Sequence, residues 1–344
     1  PKKRKLLRRN MKILVLNYEF PPVGGGGGRV AEDICRILAE RGHEIRVQTA
    51  YFRGLKKIEK KDGYTIYRSS SLRQRADRAT IWEMGAFLIF NFIPSLRHIV
   101  TWKPDVLHVH FAVPTGVLGR AVHFLTGTPY VLTVHLGDVP GGVPEQTDLI
   151  FRLIKPFTES IWQYAGAVTA VSEYTKRLAL SCYKVRINTV SNGIDLKKCK
   201  QSPIIPFQPP RLVFAGRFNP QKNLIFLIGI LIRLSDLSWE INLIGDGSAM
   251  KDVKRKIRTA GLKERVHLHG WIMPAAVERI MSQSDILVLP SVWEGLPVVG
   301  LSALGHGLAI LASNVGGNAD LVKYGKNGFL CPVNDLDAFE EALR

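Results

Sequence analysis

Short apolar runs alternate with amphipathic stretches along the whole chain, and the alternation predicts its elements. "MKILVLN" is a strand-length apolar run. "RVAEDICRILAERGH" follows with helical spacing, placing Val30, Ile34, Ile37 and Leu38 on one face and Gly42 at the helix end. "EIRVQTA" reads as the second strand, and "DVLHVHF", "PYVLTVH" and "AGAVTAVS" as later ones. Residues 195–210, "DLKKCKQSPIIPFQPP", hold four prolines and little periodicity. The pattern then restarts, with "RLVFAG", "WEINLIG", "VHLHGW", "DILVLP", "LAILAS" and "GFLCPV" as strands separated by helices. Continuously apolar strands alternating with helices predict parallel sheets covered on both faces. The expected fold class is α/β: two doubly wound, Rossmann-like domains facing an interdomain cleft. Residues 11–195 form the first domain, 196–210 a proline-rich linker and 211–344 the second. Ligands of such sheets bind where the strands end at their carboxyl side.

Length and composition agree with this division. A chain of 344 residues exceeds one ordinary core, and 46% hydrophobic with 22% charged residues suits a folded protein. Cys35, Cys182, Cys199 and Cys331 are scattered without a CxxC pair, which argues against a disulfide framework or zinc site and for a reducing cytoplasm. The longest apolar runs, Met84 to Phe90 and Leu224 to Ile232, fall well short of the roughly 20 residues that cross a bilayer. No signal peptide is evident. The net charge of +18 sits mainly in the first ten residues, with six bases and no acid, and in residues 11–200, with 26 bases against 16 acids. The tail 1–10 is expected to be a disordered basic extension. Its basic run also matches a nuclear-localisation or nucleic-acid patch, but no specific nucleic acid is expected as a partner. Residues 53–78 carry nine bases against three acids. That patch suits an anionic membrane surface or a phosphorylated acceptor, or is an ordinary solvated loop.

The run of five glycines in "NYEFPPVGGGGGRV" tests the ligand class. A dinucleotide fingerprint, GxGxxG, needs a glycine five residues after its first, and from Gly24 that position is Arg29. The second strand ends in Thr49 and Ala50, without the acid that would bind a ribose, and no GxxxxGK[ST] occurs. What remains is either a phosphate site at a helix N-terminus with room for a bulky ligand, or a flexible turn. "FAGRFNPQKNL" places Arg217 and Lys222 at a strand's carboxyl end, suited to a diphosphate leaving group or simply solvated. "LIGDGSAMKDV" follows another strand with a Gly-Asp-Gly turn, and Ser248 is positioned to cap the next helix. In "DILVLPSVWEGLPVVGLSALGHG" the strand ends at Pro290, and the loop presents Glu294 and Gly295. Pro297 falls where a helix starts. Glu294 is suited either to accept sugar hydroxyls or to serve as a helix N-terminal charge. Asp335 and Asp337 match a metal-binding pair only superficially and are read as helix-capping acids.

Over residues 11–344 the sequence resembles the family-4 retaining glycosyltransferases (glycosyl transferases group 1) of the GT-B fold. "YEFPPVGGGGGRVAEDICRILAERGHE", "TVHLGD", "TAVSE", "SNGID", "AGRFNPQKNL", "LIGDG" and "LPSVWEGLP" occur in that family's order. The resemblance implies a nucleotide-activated sugar, a UDP- or GDP-sugar, held mainly by the C-terminal domain as co-substrate, with no other cofactor and no metal. It implies that Arg217 and Lys222 bind the diphosphate and that Glu294 binds the transferred sugar. Gly295, Leu296, Pro297 and Val298 would then flank it with backbone donors, and Gly216 would lie in the same donor site. Gly25 and Gly26 would let phosphates and acceptor pass. Gly247 and Trp271, in "HGW", would border the base. His135 would sit beside the anomeric carbon, or else be a satisfied buried histidine. The family's second glutamate, eight residues after the first and a ribose ligand, is replaced by Ser302. That exchange predicts donor affinity several-fold weaker, with activity retained. The last helix stops early, so the C-terminal domain is expected to be truncated.

The function expected is retaining, metal-independent transfer of a sugar to a glycan, glycolipid or lipid-linked acceptor of the cell envelope or an exopolysaccharide. The alternative is a catalytically impaired nucleotide-sugar-binding protein. The expected location is cytoplasmic, peripheral at the inner face of the membrane.

Overall fold

The computed structural model describes residues 10–76, 78–142, 158–199 and 205–344. The tail 1–9 and its expected disorder lie outside the described residues. The chain divides into two compact units between Ser191 and Asn192. The described part of the proline-rich stretch is tied to the second unit, where Asp285 accepts hydrogen bonds from Phe207 N (3.1 Å) and Arg211 N (2.8 Å).

Among the described residues the first unit holds eight strands: β1 (Lys12–Leu16), β2 (Glu44–Ala50), β3 (Ile58–Lys61), β4 (Tyr64–Ser69), β5 (Val106–His110), β6 (Tyr130–Val134), β7 (Ala167–Ala170) and β8 (Ile187–Thr189). They lie in the order β3-β4-β2-β1-β5-β6-β7-β8, and only β3, paired with β4, is antiparallel. Helices α1 (Gly26–Glu40), α2 (Ile81–Trp102), α3 (Thr115–Thr126) and α4 (Glu173–Cys182) connect them. Period-two alternation sends Leu14 and Leu16 into one core with Phe87, Leu107 and Leu132. Ile13 and Val15 enter the other with Ala31, Cys35 and Val47. The sheet is therefore buried on both faces, as its uninterrupted apolar strands require.

In the second unit β9 (Arg211–Ala215), β10 (Glu240–Ile244), β11 (Val266–Gly270), β12 (Ile286–Leu289), β13 (Ala309–Ser313) and β14 (Gly328–Cys331) form an all-parallel sheet ordered β11-β10-β9-β12-β13-β14. Its helices are α5 (Leu224–Arg233), α6 (Met250–Thr259), α7 (Pro274–Met281), α8 (Val298–Gly305), α9 (Asn318–Leu321) and α10 (Leu336–Leu343). In both sheets the chain winds outward from a first strand, then returns to lay a later strand against that strand's free edge. These reversals, β1 beside β5 and β9 beside β12, open a crevice at the strands' carboxyl ends.

Four local expectations change. On α1 the deeply buried stripe is Val30, Ala31 and Cys35, while Ile37 is exposed; Gly42 does end the helix, at φ +89°. Residues 58–69 of the basic patch form the β3–β4 hairpin, closed at Gly63 (φ +82°). Ser248 is no cap, because α6 begins after Ala249 without a side-chain acceptor. Finally, α2 is 22 residues long and, by length and composition, apolar enough to cross a membrane. Asn91, Pro94 and Arg97 break its apolar run into pieces, which hid it from the sequence.

Candidate active site

The second unit's crevice is built from the loops after β9 and β12. After β9 the chain passes Gly216 and Arg217, buries Phe218, and turns at Pro220–Lys222, where Asn219 Oδ1 accepts from Lys222 N at 3.2 Å. After β12, Ser291 is buried and the loop runs through Trp293, Glu294, Gly295 and Leu296 to Pro297. Pro297 is the cap residue of α8, one place outside the helix and not its first member, and no side chain caps it. Two hydrogen bonds clamp the loops together: Val292 N donates to Gln221 O (2.8 Å), and Gln221 Nε2 donates to Trp293 O (2.9 Å).

Held this way, Lys222 and Glu294, 72 residues apart, form an ion pair with Nζ to Oε1 at 2.5 Å. The Glu294 residue is 5% exposed. A charge-assisted hydrogen bond in so little water fixes the carboxylate's rotamer. The loop after β13 closes the site from the far side. Gly317 N donates to Glu294 O (3.0 Å), and a Cβ on Gly316 or Gly317 would stand 1.9 Å from Glu294 O or 1.6 Å from Gly295 O. The N–H groups of Val298 and Val299, the first two of α8, lie next to this carboxylate in the chain and, as at any helix start, have no intrahelical partner, whereas Gly300 N already donates to Pro297 O (2.9 Å).

Gly247 meets a packing demand. At φ +157°, its Cβ would lie 2.4 Å from Phe218 O, which locks the loop after β10 onto the loop after β9. At Gly216 a Cβ would meet Phe214 and Lys222 at ordinary contact distances, so packing does not require a glycine there. Trp271 stands exposed after β11. Ser302 is buried on α8, where its Oγ donates to Glu278 Oε2 of α7 at 2.7 Å; His306 Nε2 shares the same oxygen at 2.8 Å. A carboxylate thus reaches position 302 from another helix. Asp335 caps α10 by accepting from Ala338 N (3.0 Å), and Asp337 pairs with Arg233.

In the first unit, Gly25 caps α1 and Gly26 is its first residue. Gly25 N donates to Glu19 Oε2 (3.0 Å), and Arg73 stands 3.6 Å from Glu19 Oε1. Three of the glycines are required by their neighbours. Gly24 has φ +95° with Glu19 against it, a Gly27 Cβ would lie 2.4 Å from Phe111 Cζ, and a Gly28 Cβ 2.9 Å from Glu19 O. His135 follows the last residue of β6, just behind Gly27. It is buried, shares a hydrogen bond with His110 (Nε2 to Nδ1, 3.3 Å), packs 4.4 Å from the Phe111 ring, and turns Nδ1 toward the glycine loop. Burial, reinforced by the neighbouring His108, pushes its pKa down to about 3, so the imidazole is neutral at physiological pH. Asp138 accepts from Ala112 N (2.7 Å) and His135 N (2.8 Å); burial outweighs these bonds and raises its pKa to about 7.

Sequence reasoning did not single out Glu19, Arg73, His110, Phe111, Asp138, Gln221, Glu278, His306, Gly316 or Gly317. Gly316 and Gly317 carried a legible signal, a glycine pair just past a strand's carboxyl end. Glu278 carried none, because "PAAVERIM" reads as an ordinary amphipathic helix. A groove of about 380 Å³ in the second unit, lined by Arg211, Glu240, Asn242 and His267 among others, includes the first residues of β9 and β10 and none of the site residues above.

The family model described as Glycosyltransferase Family 4 matches residues 24–198, and the model described as Glycosyl transferases group 1 matches residues 209–344. An Escherichia coli UDP-Gal:alpha-D-GlcNAc-diphosphoundecaprenol alpha-1,3-galactosyltransferase is 31% identical over 264 residues, covering 70% of this chain and 66% of that enzyme. Sucrose-phosphate synthase from Thermosynechococcus elongatus superimposes with a TM-score of 0.82 at 18% identity, covering 97% of this chain and 89% of that one. The Anabaena protein HepE in complex with UDP-glucose gives 0.76 at 20% identity, covering 96% and 88%.

Proposed function

Because the chain belongs to the glycosyl transferases group 1 and has the α/β GT-B fold, we propose that it moves a sugar, with retention, from a nucleoside diphosphate sugar to a glycan or lipid-linked acceptor. The observation that carries the reading is the buried Lys222–Glu294 pair at the second sheet's reversal. Glu294 accepts hydrogen bonds from hydroxyls of the transferred sugar, and Lys222 and Arg217 face the diphosphate. The bond from the anomeric carbon to the diphosphate oxygen breaks, and the electron pair stays on the diphosphate. The two cations and the α8 N–H groups stabilise that charge, which makes a metal ion unnecessary. The acceptor hydroxyl attacks from the same face and gives its proton to a diphosphate oxygen. Neutral His135 and the glycine loop shape the acceptor side in the first unit.

The names of the E. coli enzyme and of the HepE complex favour a UDP-sugar over a GDP-sugar as donor. Glu278, held by Ser302 and His306, supplies the carboxylate for the ribose that the family carries on α8 itself. This favours an active enzyme over the alternative, a catalytically impaired nucleotide-sugar-binding protein. The four free cysteines suit a reducing cytoplasm, with a lipid-linked acceptor reached at the membrane's inner face.

Calorimetric titration with UDP, GDP, ADP and NAD tests the donor site, and release of nucleoside diphosphate from the matching sugars tests the chemistry. Saturable binding of one nucleoside diphosphate is expected. Glu294→Ala and Lys222→Ala should each lower turnover at least tenfold, since one preorganised donor is worth about 3–4 kcal/mol in the transition state. Near-wild-type rates in both variants would sink the assignment. Binding without nucleotide release would support the impaired-enzyme alternative.

A further inference from the structure

Behind His135 stands a residue that the functional reading leaves idle. His110, the last residue of β5, is fully buried, and its Nδ1 lies 3.3 Å from His135 Nε2. Burial keeps both rings neutral. Each therefore carries one proton, and the single bond between them admits two arrangements. In the first, His110 Nδ1–H donates to His135 Nε2, and His135 holds its own proton on Nδ1. In the second, His135 Nε2–H donates to His110 Nδ1, and the proton of His110 sits on Nε2.

The surroundings choose between them. His110 Nε2 is buried and has no partner among the described residues. A buried N–H left unpaired is rarer than an unpaired acceptor, which favours a bare Nε2. Asn17 adds to this. The pairing of Leu16 with Val109, carried one residue on, sets Asn17 beside His110. Asn17 Oδ1 accepts from Glu19 N (3.1 Å), which fixes the amide's orientation, and its Nδ2 is buried without a partner among the described residues. A proton on His110 Nε2 would add a second unpaired donor to this part of the core, and a lone pair there does not. His108, its ring 4.2 Å from that of His110, is engaged elsewhere, with Nε2 2.8 Å from Thr133 Oγ1. The first arrangement fixes what His135 presents. Its protonated Nδ1 faces the glycine loop, where a Cβ on Gly27 would stand 3.3 Å from that nitrogen. The ring is then a hydrogen-bond donor matched to a hydroxyl or phosphate oxygen, and not a base.

We propose that His110 is a positioning residue: by donating Nδ1–H to His135 Nε2 it locks His135 in the tautomer that offers Nδ1–H to an oxygen of the substrate bound at the glycine loop. The tautomer holds whatever the chain's activity, and only the effect on turnover rests on the sugar-transfer reading. Long-range proton–nitrogen correlation NMR on the full chain with isotope-labelled histidine tells a protonated ring nitrogen from a bare one, and His135→Gln assigns the signals. Wild-type His135 should be protonated on Nδ1 alone. His110→Asn, whose amide keeps an N–H in place of Nδ1–H, should retain that tautomer and turn over within about threefold of wild type. His110→Asp sets a carboxylate, an acceptor only, at the same place. His135 should then carry its proton on Nε2, and kcat should fall at least tenfold while affinity for the nucleoside diphosphate stays at the wild-type value. A proton on Nε2 of wild-type His135, a bare Nε2 in folded His110→Asp, or a folded His110→Asp with wild-type kcat would each overturn the proposal. Equal losses of turnover in both variants with the tautomer unmoved would leave His110 a packing residue and overturn it too. Should His110→Asp not fold, the wild-type spectrum and His110→Asn decide the matter. Failure of the wild type to release nucleotide would count against the sugar-transfer reading alone.

Discussion

Ser302 shows how one side chain can change what its neighbours do. Its hydroxyl hands Glu278 a hydrogen bond, and His306 hands it a second on the same oxygen. A Ser302→Glu variant would set two carboxylates against each other in a half-buried site. One of them would be held above its normal pKa, so the variant's folded state retains a proton that its unfolded state releases. Stability conferred by that proton is present at low pH and lost as pH rises. We therefore expect Ser302→Glu to lose about 1–3 kcal/mol relative to wild type near pH 8 and less near pH 5. Adding Glu278→Ser should recover most of the loss. Denaturant melts at the two pH values decide it, and a flat difference would show that the two carboxyls do not meet. Residue types at strand ends were legible in the sequence here: Lys222 and Glu294 both stood out. Their pairing was not, because no local pattern brings residues 222 and 294 together.

At the scale of elements, the glycines separate into those required by packing and those that leave space. Gly27→Ala would drive a methyl into Phe111 and press on His135, and overpacking of this kind costs about 1–3 kcal/mol. Gly317→Ala would collide with the Gly295 carbonyl, which is backbone and cannot turn aside. The loop holding Glu294 must then move. We expect this variant to lose more than tenfold in turnover with its donor affinity also weakened, whereas Gly216→Ala, with ordinary clearance, should melt like the wild type. Turnover, calorimetry and melting curves on the three variants separate these cases. The strand and helix pattern read from the sequence matches most of both sheets, since continuous apolar runs leave little choice of state. It failed on β3 and β4, whose "IEKKDGYTIYRS" reads as charge before it reads as alternation, and on α2, which buries Asn91, Ser95 and His98 while Trp82, Ile89 and Ile93 stay exposed.

For the whole molecule, the first unit carries a built-in sensitivity to acid. The first buries a histidine set: burial pushes His98 and His108 down to about 4, His135 to about 3, and His110 well below its ordinary value. Each is neutral in the fold and takes up a proton near its ordinary pKa once unfolded, so stability falls as pH drops from about 6.5 toward 4. Asp138 opposes this, because its folded pKa of about 7 gives stability that is present at low pH and lost as pH rises. Four histidines outweigh one carboxyl, and the first unit should destabilise by several kcal/mol between about pH 6.5 and 4.5. Hydrogen exchange of the β5 and β6 amides across that range is the measurement, and constant protection would show that the histidines are not held neutral. The sequence by itself determined the class of the fold, a division into two units and which strand-end loops hold the glycines, prolines and charges, because these and the hydrophobic period are local properties. Only the tertiary structure decided that Lys222 meets Glu294, that Glu278 serves position 302, that the glycines fit against Phe111 and Glu19, and that α2 turns its apolar face outward. Each of these depends on which surfaces a twisted sheet brings together across tens of residues, and no periodicity along the chain encodes that distance.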